Sequence, residues 1–205
     1  FTAYRILHRR HHLHLGGPGD PDEYYNYTRS KPGVWLMQYG RLLGATFLYL
    51  PLMPFVAWKS ASQRERGEIL QDYALMATLY LAILTIFPLS TLVPVWLAPI
   101  FLVGLFTNIR GFVQHGVTDR HDSLLASRSI HPHPLVAFLL LNENLHLEHH
   151  LFPEIPSYHL PELSRLISPR LPRAVLADSY MEVLWSFFRA TPSLDETPIG
   201  IRHKT

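Results

Sequence analysis

The chain has 205 residues, a formal net charge of +2 with histidine neutral, 13 histidines and no cysteine. This length suits one domain or one membrane unit, and so small a charge argues against nucleic acid as a partner. The lack of cysteine excludes thiolate metal sites, iron–sulfur clusters, disulfides and a cysteine nucleophile, which leaves histidine as the main neutral metal ligand.

The first predicted element is a helix over residues 1–16, which stops at a run of glycine and proline at 16–19. It carries the sequence His-Arg-Arg-His-His at 8–12. Positions i, i+3 and i+4 share one face of an α-helix, so the three imidazoles should point into one volume. A solvated helix face would show the same spacing. Because the chain starts at Phe1 and not at Met, we expect it to begin inside a longer protein.

Three apolar segments follow the polar loop at 20–32. Residues 69–87 and 92–109 approach the roughly 20 apolar residues that a membrane-crossing helix needs. The short turn at 88–91 between them predicts a tight antiparallel transmembrane hairpin over 69–109. The earlier segment, 33–58, is interrupted by polar residues and prolines (Gln38, Arg41, Pro51 and Pro54). Buried helices of a soluble bundle are the alternative interpretation of these segments.

A second histidine cluster with the same spacing lies near the C-terminus, in the sequence His-Leu-Glu-His-His at 146–150. We predict that it lies on one helix covering 135–151. Residues 110–134 are polar, and the tail after this helix is rich in proline, with helical patches near 160–167 and 174–189.

Two clusters with matched spacing in one short chain favour a metal site over two solvated helix faces. Imidazole ligands suit Zn, Cu, Fe or Ni. A catalytic zinc takes three protein ligands and an open position, whereas six imidazoles suggest two metals, and a pair of redox metals suits oxygen activation.

The two clusters can share a site only if an even number of membrane crossings separates them. Of the three apolar segments, 33–58 is the most interrupted, so we predict that it is an interfacial or re-entrant segment. The basic surplus in the linker at 59–68 favours the cytoplasmic side for the histidines. The expected fold is therefore all-α, a multi-pass membrane helical bundle with a cytoplasmic histidine-rich cap over 110–205.

Several stretches of the chain resemble the membrane fatty acid desaturase superfamily, which includes hydroxylases and ketolases acting on sterols and carotenoids. HRRHH at 8–12 resembles its second histidine box, and LHLEHHLFPEIPSYHLPEL at 145–163 resembles its third. GGPGDPDE at 16–23 and RGFVQHGVTD at 110–119 also fit. The resemblance covers nearly the whole chain as a single domain, and the third-box stretch is its most specific part.

The resemblance implies a non-haem di-iron centre with two iron ions, O2 as co-substrate, a lipid acyl substrate and a ferredoxin-like or cytochrome b5-like electron donor. The implied iron ligands are His8, His11, His12, His115, His146, His149 and His150. Glu148 could orient an imidazole from outside the ligand shell or be an ordinary solvated residue, and Asn144 and Asp119 are weaker candidates for a supporting role.

The family's first box, His-x3–4-His, has no counterpart upstream of His8. We therefore expect two further ligands to precede this sequence, in which case the chain by itself binds metal poorly or is inactive.

The predicted activity is O2-dependent insertion of a double bond into a fatty acyl chain. The nearest alternative is a hydroxylase or ketolase acting on a carotenoid or another lipid. A zinc-dependent membrane hydrolase with Glu148 as general base, or an inactive metal-binding fragment, would be of another class.

Overall fold

The computed structural model describes residues 1–23, 26–116, 118, 122, 124–171 and 176–189. This part of the chain is mostly helical, which confirms the all-α prediction. The helices are α1 (Thr2–His14), α2 (Lys31–Trp58), α3 (Gln63–Ile86), α4 (Leu89–Leu92), α5 (Ala98–His115), α6 (Pro134–Leu139), α7 (His146–Leu151), α8 (Leu160–Ile167) and α9 (Tyr180–Arg189). A π-helix, Val93–Leu97, joins α4 to α5, and short 3-10 turns occupy Ser157–His159 and Ser168–Arg170. Strands β1 (Ser129–Ile130) and β2 (Leu176–Ala177) pair in parallel, with Ser129 opposite Leu176.

Among the described residues, two helices are long and apolar enough to cross a membrane: α3 and the continuous run Leu89–His115. Their surfaces are largely exposed and apolar, as at Leu75, Leu81, Phe101 and Phe106. Exposure of so large an apolar surface to water would be costly in free energy, whereas contact with lipid tails would not. The start of α3 is fixed by a capping box, in which the side chains of Ser62 and Glu65 each bond the other's backbone N–H.

The tight antiparallel packing expected between these two segments is wrong. Near the turn, the rings of Tyr80 and Trp96 lie 5.2 Å apart, but α5 packs mainly against α2. The approach is close at Gly104, where an added Cβ would lie 2.7 Å from the ring of Phe47. A side chain at position 104 would therefore require the ring of Phe47 to move.

Helix α2 bends by 111° between its two arms, Pro32–Gly44 and Phe47–Trp58. The bend lies one turn before Pro51, whose ring cannot pack against the carbonyl of Phe47 in a straight helix. Such a bent pair is either a broken span or a re-entrant loop. The interfacial or re-entrant assignment of 33–58 therefore stays a prediction.

Two apolar cores hold the helix ends around the histidines. One joins α1 to α2 and α3, through Ala3, Ile6, Leu7, Met53, Ala57, Ala61 and Ile69. The other joins α2, α5, the strand pair and α9, through Leu42, Phe112, Val113, Ile130, Ala177, Val183, Leu184 and Phe187. The histidine-bearing elements are thereby brought together from both sides.

The prediction of one helix over 135–151 is wrong. Helices α6 and α7 are separated by a turn in which Leu141 and Asn142 have φ of 53° and 63°. Asparagine tolerates this left-handed conformation better than most residues, whereas leucine is strained in it. The sequence Asn-Glu-Asn at 142–144 is the signal for this turn that the apolar pattern concealed.

Candidate metal centre

The first histidine cluster lies on α1, which is fastened to the start of α3. The backbone N–H of Thr2 donates to Asp72 at 2.7 Å, and Arg5 pairs with Glu68 at 3.0 Å. This attachment, together with the apolar core behind α1, fixes the direction in which the imidazoles point.

The second cluster lies on α7, and the fold brings it against both α1 and the end of α5. His115 is the last residue of α5, and its Nε2 lies 2.8 Å from Nε2 of His146 and 3.3 Å from Nε2 of His150. The Nε2 atom of His11 also lies 3.3 Å from that of His115. Because α3 leads away from the histidines and the run Leu89–His115 returns, both clusters lie at the same end of these helices.

The seven predicted ligands form two groups, and each group draws on both clusters. Group A consists of His8, His12 and His149, whose candidate ligand atoms all lie within 4.8 Å of one another. Group B consists of His11, His115 and His150, which meet the same distance criterion, together with His146, whose Nε2 lies 3.2 Å from that of His150. The stacked rings of His12 and His150, 4.3 Å apart, place the groups side by side.

This arrangement corrects the expectation that each cluster directs its three imidazoles into one volume. The helical spacing does put them on one face, but His11 points away from His8 and His12 into the other group. The two clusters are interleaved, so each candidate metal site depends on both.

The donor atoms of group B fit a cation. The Nδ1 atom of His11 lies 2.9 and 3.0 Å from the two carboxylate oxygens of Asp20. That of His115 lies 3.4 Å from the carbonyl oxygen of Ala126. Both partners only accept hydrogen bonds, so each ring carries its proton on Nδ1 and a lone pair on Nε2. Two lone pairs then face each other at 3.3 Å, an arrangement that a metal ion stabilises.

The protonation states also suit metal binding. Burial, reinforced by the neighbouring histidines, lowers the pKa of His8 to about 4 and that of His12 to about 3. Burial likewise lowers the pKa of His146, His149 and His150 below the usual range of histidine. These rings are therefore neutral near pH 7, the form in which imidazole binds a metal.

The sequence-based prediction did not single out Asp20 as a site residue. It is buried, and the backbone N–H groups of Gly16 and Asp22 donate to its carboxylate at 2.9 and 2.8 Å. Burial raises its pKa, but the hydrogen bonds from His11 and the backbone outweigh this and leave the pKa below the usual value. Its position in the family-like GGPGDPDE stretch was the available signal.

Glu148 is only 3% exposed, so it is not a solvated residue. Its carboxylate accepts hydrogen bonds from the hydroxyl groups of Ser129 and, at 2.6 Å, Ser164. The hydroxyl of Ser129 also accepts from the backbone N–H of Leu147 at 3.1 Å. Glu148 therefore fastens α7 to β1 and α8, and supports the cluster through its helix.

Asn144 has a comparable supporting position. Its side-chain amide donates to the carbonyl of Ile130 at 2.9 Å, and the backbone N–H of Ile130 donates to the carbonyl of Asn144 at 2.8 Å. The turn before α7 is thus tied to β1. Asp119, the third predicted supporting residue, lies outside the described residues.

The end of α5 has a support for which the sequence offered no signal. The guanidinium of Arg128 is buried and donates to the carbonyls of Val113 and Gly116. Burial lowers its pKa to about 10, so it remains a cation at neutral pH. A positive charge on these carbonyls stabilises the helix end that carries His115.

Comparison with known proteins gives one family and a small set of relatives. The fatty acid desaturase family model matches residues 1–181. The sphingolipid delta(4)-desaturase/C4-monooxygenase of Mus musculus is 28% identical over 189 residues, which cover 91% of this chain and 55% of the relative. That of Homo sapiens is 27% identical over 194 residues, with the same shares. The chain thus spans about half the length of the curated relatives it matches. No solved structure gives a significant match.

Proposed function

The chain belongs to the fatty acid desaturase family, and on that premise we propose that it is the metal-binding part of an O2-dependent di-iron oxidoreductase. Its reaction would introduce a double bond into a fatty acyl chain of a lipid. The observation that carries this proposal is the pairing of two adjacent imidazole groups, each assembled from both histidine clusters.

Group A would hold one iron and group B the other. Imidazole is a suitable ligand for iron, and two irons when bound would supply the oxygen activation needed to oxidise an unactivated C–H bond. The relatives are longer than this chain, and residues outside it are expected to complete the ligand set.

The chain's own residues would hold the imidazoles in place. Asp20 keeps the proton of His11 on Nδ1 and so presents Nε2 to group B. The contacts of Glu148 and Arg128 fix α7 and the end of α5, the two elements that carry the remaining ligands of that group.

The setting of the reaction is part of the proposal. The long apolar helices α3 and Leu89–His115 would span the membrane as part of a multi-pass protein, with the histidines at the cytoplasmic face. A lipid substrate would reach them from the bilayer. Electrons would come from a donor of ferredoxin or cytochrome b5 type, as the family resemblance implies.

Hydroxylation of a lipid is the second candidate, because the names of the relatives combine desaturase and C4-monooxygenase activity. The same imidazoles would bind the metal ions in both reactions. Under the hydroxylase alternative, the substrate could be of the carotenoid type. Product analysis separates them, since a desaturase leaves a new double bond and a hydroxylase leaves an inserted oxygen atom.

A zinc hydrolase fits the geometry poorly. It would require Glu148 as general base, yet both carboxylate oxygens of Glu148 are buried and accept hydrogen bonds from serine hydroxyls. It could not reach a water molecule on a metal without dismantling the support of α7.

The test uses the protein expressed from its complete reading frame, purified with its metal. We expect about two irons per chain and lipid oxidation that stops when O2 is withdrawn. His149→Ala should remove both activity and iron from group A, whereas the exposed His159 provides a matched control in His159→Ala. Zinc in place of iron, or full activity in His149→Ala, would overturn the proposal; iron binding without lipid oxidation would indicate an inactive metal-binding protein.

A further inference from the structure

Positive charges collect where α1 packs against the start of α3, and we refer to them as the basic cluster. Its cations come from α1, from the residue that follows α2 and from the beginning of α3: Arg5, Arg9, Lys59, Arg64 and Arg66. Two carboxylates lie among them, those of Glu65 and Glu68. The basic cluster therefore has more positive than negative charge.

The carboxylates leave much of this positive charge without a partner. Glu68 is shared, because Arg5 and Arg64 each donate to it at 3.0 Å, and such exposed ion pairs are weak. Arg9 and Lys59 are exposed, and neither forms an ion pair with another residue in the part of the chain that the structure describes. These two cations are therefore accessible to an anion from outside the protein.

The basic cluster lies at the depth of lipid headgroups. Apart from the polar pair at 71–72, large exposed side chains are apolar from Leu70 to Phe87, a length of about 26 Å at a rise of about 1.5 Å per residue. This approaches the roughly 30 Å of a hydrocarbon core, so the edge of the core lies near Leu70. Arg64 and Arg66 precede Leu70 by about 6–9 Å along the helix, and a headgroup layer is about 5–8 Å thick.

The contacts of Trp58 agree with this depth. Trp58 ends α2 and is 37% exposed, and tryptophan rings favour the interface between membrane and water. The guanidinium of Arg66 lies 5.4 Å from the centre of this ring, and its Nε donates to the carbonyl of Trp58 at 3.3 Å. An apolar ring beside a cation suits a boundary that is apolar on one side and charged on the other.

We propose that the basic cluster binds the phosphate groups of anionic phospholipids and so holds α1 and the start of α3 at the membrane surface. Clustered cations next to a membrane-spanning helix are attracted to the negative potential of an anionic leaflet. Charge alone would suit an acidic protein equally well, but the depth of Arg64 and Arg66 favours lipid, because phosphates occupy that layer. This inference rests on the membrane setting of α3 and not on the reaction.

Lipid titration tests this inference. The complete protein with its metal, purified in a neutral detergent, is titrated with phosphatidylglycerol or phosphatidylcholine, and bound lipid is counted by native mass spectrometry. Phosphatidylglycerol should bind about tenfold more tightly, since each cation near the surface adds to the attraction. This preference should weaken at high salt, which screens exposed charges.

A double variant tests the residues. Arg9→Gln with Lys59→Gln removes two exposed cations and should reduce the preference to about twofold or less, while the iron content stays the same. The matched control is Arg165→Gln with Arg170→Gln, which removes the same charge. Arg165 and Arg170 are exposed and lie on and just after α8, a helix that packs mainly against α7 and its own flanking turns.

The outcomes distinguish this inference from its rivals and from the proposed function. An unchanged preference in Arg9→Gln with Lys59→Gln, or an equal loss in the control pair, would overturn it. Competition by inorganic phosphate would overturn it in favour of a soluble phosphate ligand. Slower reduction by an acidic electron donor at unchanged lipid preference would overturn it in favour of a protein partner. Iron content and lipid oxidation in phosphatidylcholine test the proposed function separately.

Discussion

The two histidine clusters have the same spacing but are held by the fold in different ways. The cluster at 8–12 lies on a helix of 13 residues whose opposite side is buried in an apolar core. The cluster at 146–150 lies on a helix of only six residues, too short to be stable by its own hydrogen bonds. The first cluster needs support mainly for one ring, that of His11, whereas the second needs support for its whole helix.

The supports differ accordingly. Asp20 accepts a hydrogen bond from the imidazole of His11 itself, while Glu148 bonds two serines and has its effect through the position of α7. The comparison teaches that identical ligand spacing does not imply identical dependence on the surroundings. A ring-fixing residue should affect metal affinity, and a helix-fixing residue should affect stability as well.

The largest expected effect comes from removing ligands in pairs. His8→Ala with His149→Ala removes two ligands of group A, so one iron should remain. His8→Ala with His11→Ala removes ligands from one cluster but from both groups, so both irons should be lost. Activity should fall at least about 1000-fold in each case, because both metals are needed.

Elemental analysis of the iron content per chain distinguishes the two double variants. The interleaved arrangement is refuted if the pair within one cluster retains an iron and the pair across clusters retains none.

The next effect separates the two supports. Asp20→Ala should weaken iron binding about 10- to 100-fold, since residues that orient metal-bound imidazoles have effects of this size. It should also destabilise the metal-free protein, because the backbone N–H groups of Gly16 and Asp22 lose their acceptor. Glu148→Gln should lower the unfolding free energy of the metal-free protein by about 2–3 kcal/mol, because a buried charged acceptor is lost.

Metal titration and thermal unfolding on the same samples measure both quantities. The exposed Glu154 provides the control Glu154→Gln. Unchanged iron affinity in Asp20→Ala, or unchanged stability in Glu148→Gln, would show that the two supports do not act as described.

The third effect is the pH dependence of the metal-free protein. Histidine in the unfolded chain has a pKa of about 6.5, whereas burial lowers the pKa of His8 to about 4 and that of His12 to about 3 in the folded protein. Between these values the unfolded state takes up protons that the folded state does not, so stability falls as the pH decreases below about 6.5.

Thermal unfolding of the metal-free protein from pH 7 to pH 5 tests this. Replacing both His8 and His12 with Gln should make the dependence less steep, although the other buried histidines keep part of it. An equally steep dependence in that variant would contradict the assignment to these rings.

The smallest effect concerns the turn that leads into α7. Leu141 has a φ of 53° and is 67% exposed, so its side chain contributes strain without burial. Leu141→Gly should raise the unfolding free energy by about 1 kcal/mol, because glycine adopts this conformation freely. Chemical denaturation measures the change, and a loss of stability would indicate that the Leu141 side chain has a packing role.

Much of the fold class and the composition of the site was accessible from the sequence. The apolar runs predict the two long helices because their length and composition match a bilayer. The spacing of His8, His11 and His12 places them on one helical face through backbone geometry alone. The family resemblance, which added His115 to the other six histidines, did not depend on any packing detail.

The sequence could not predict how those histidines are grouped. His11 is separated from His8 and His12 by a rotation of its ring toward Asp20 and His115, and this depends on where the end of α5 lies. Likewise, the partners of Glu148 come from β1 and α8, 19 and 16 residues away in the chain, at distances that local spacing does not encode.

What the sequence determined by itself was therefore the local part: helical periodicity, apolar length, and the supply of imidazoles in a chain without cysteine. What only the tertiary structure decided was which imidazoles meet, which carboxylate fixes a ring and which fixes a helix, and that α5 packs mainly on α2. The physical reason is that helix geometry depends on neighbours three and four residues apart. The geometry of a metal site depends instead on how separate helices pack against each other.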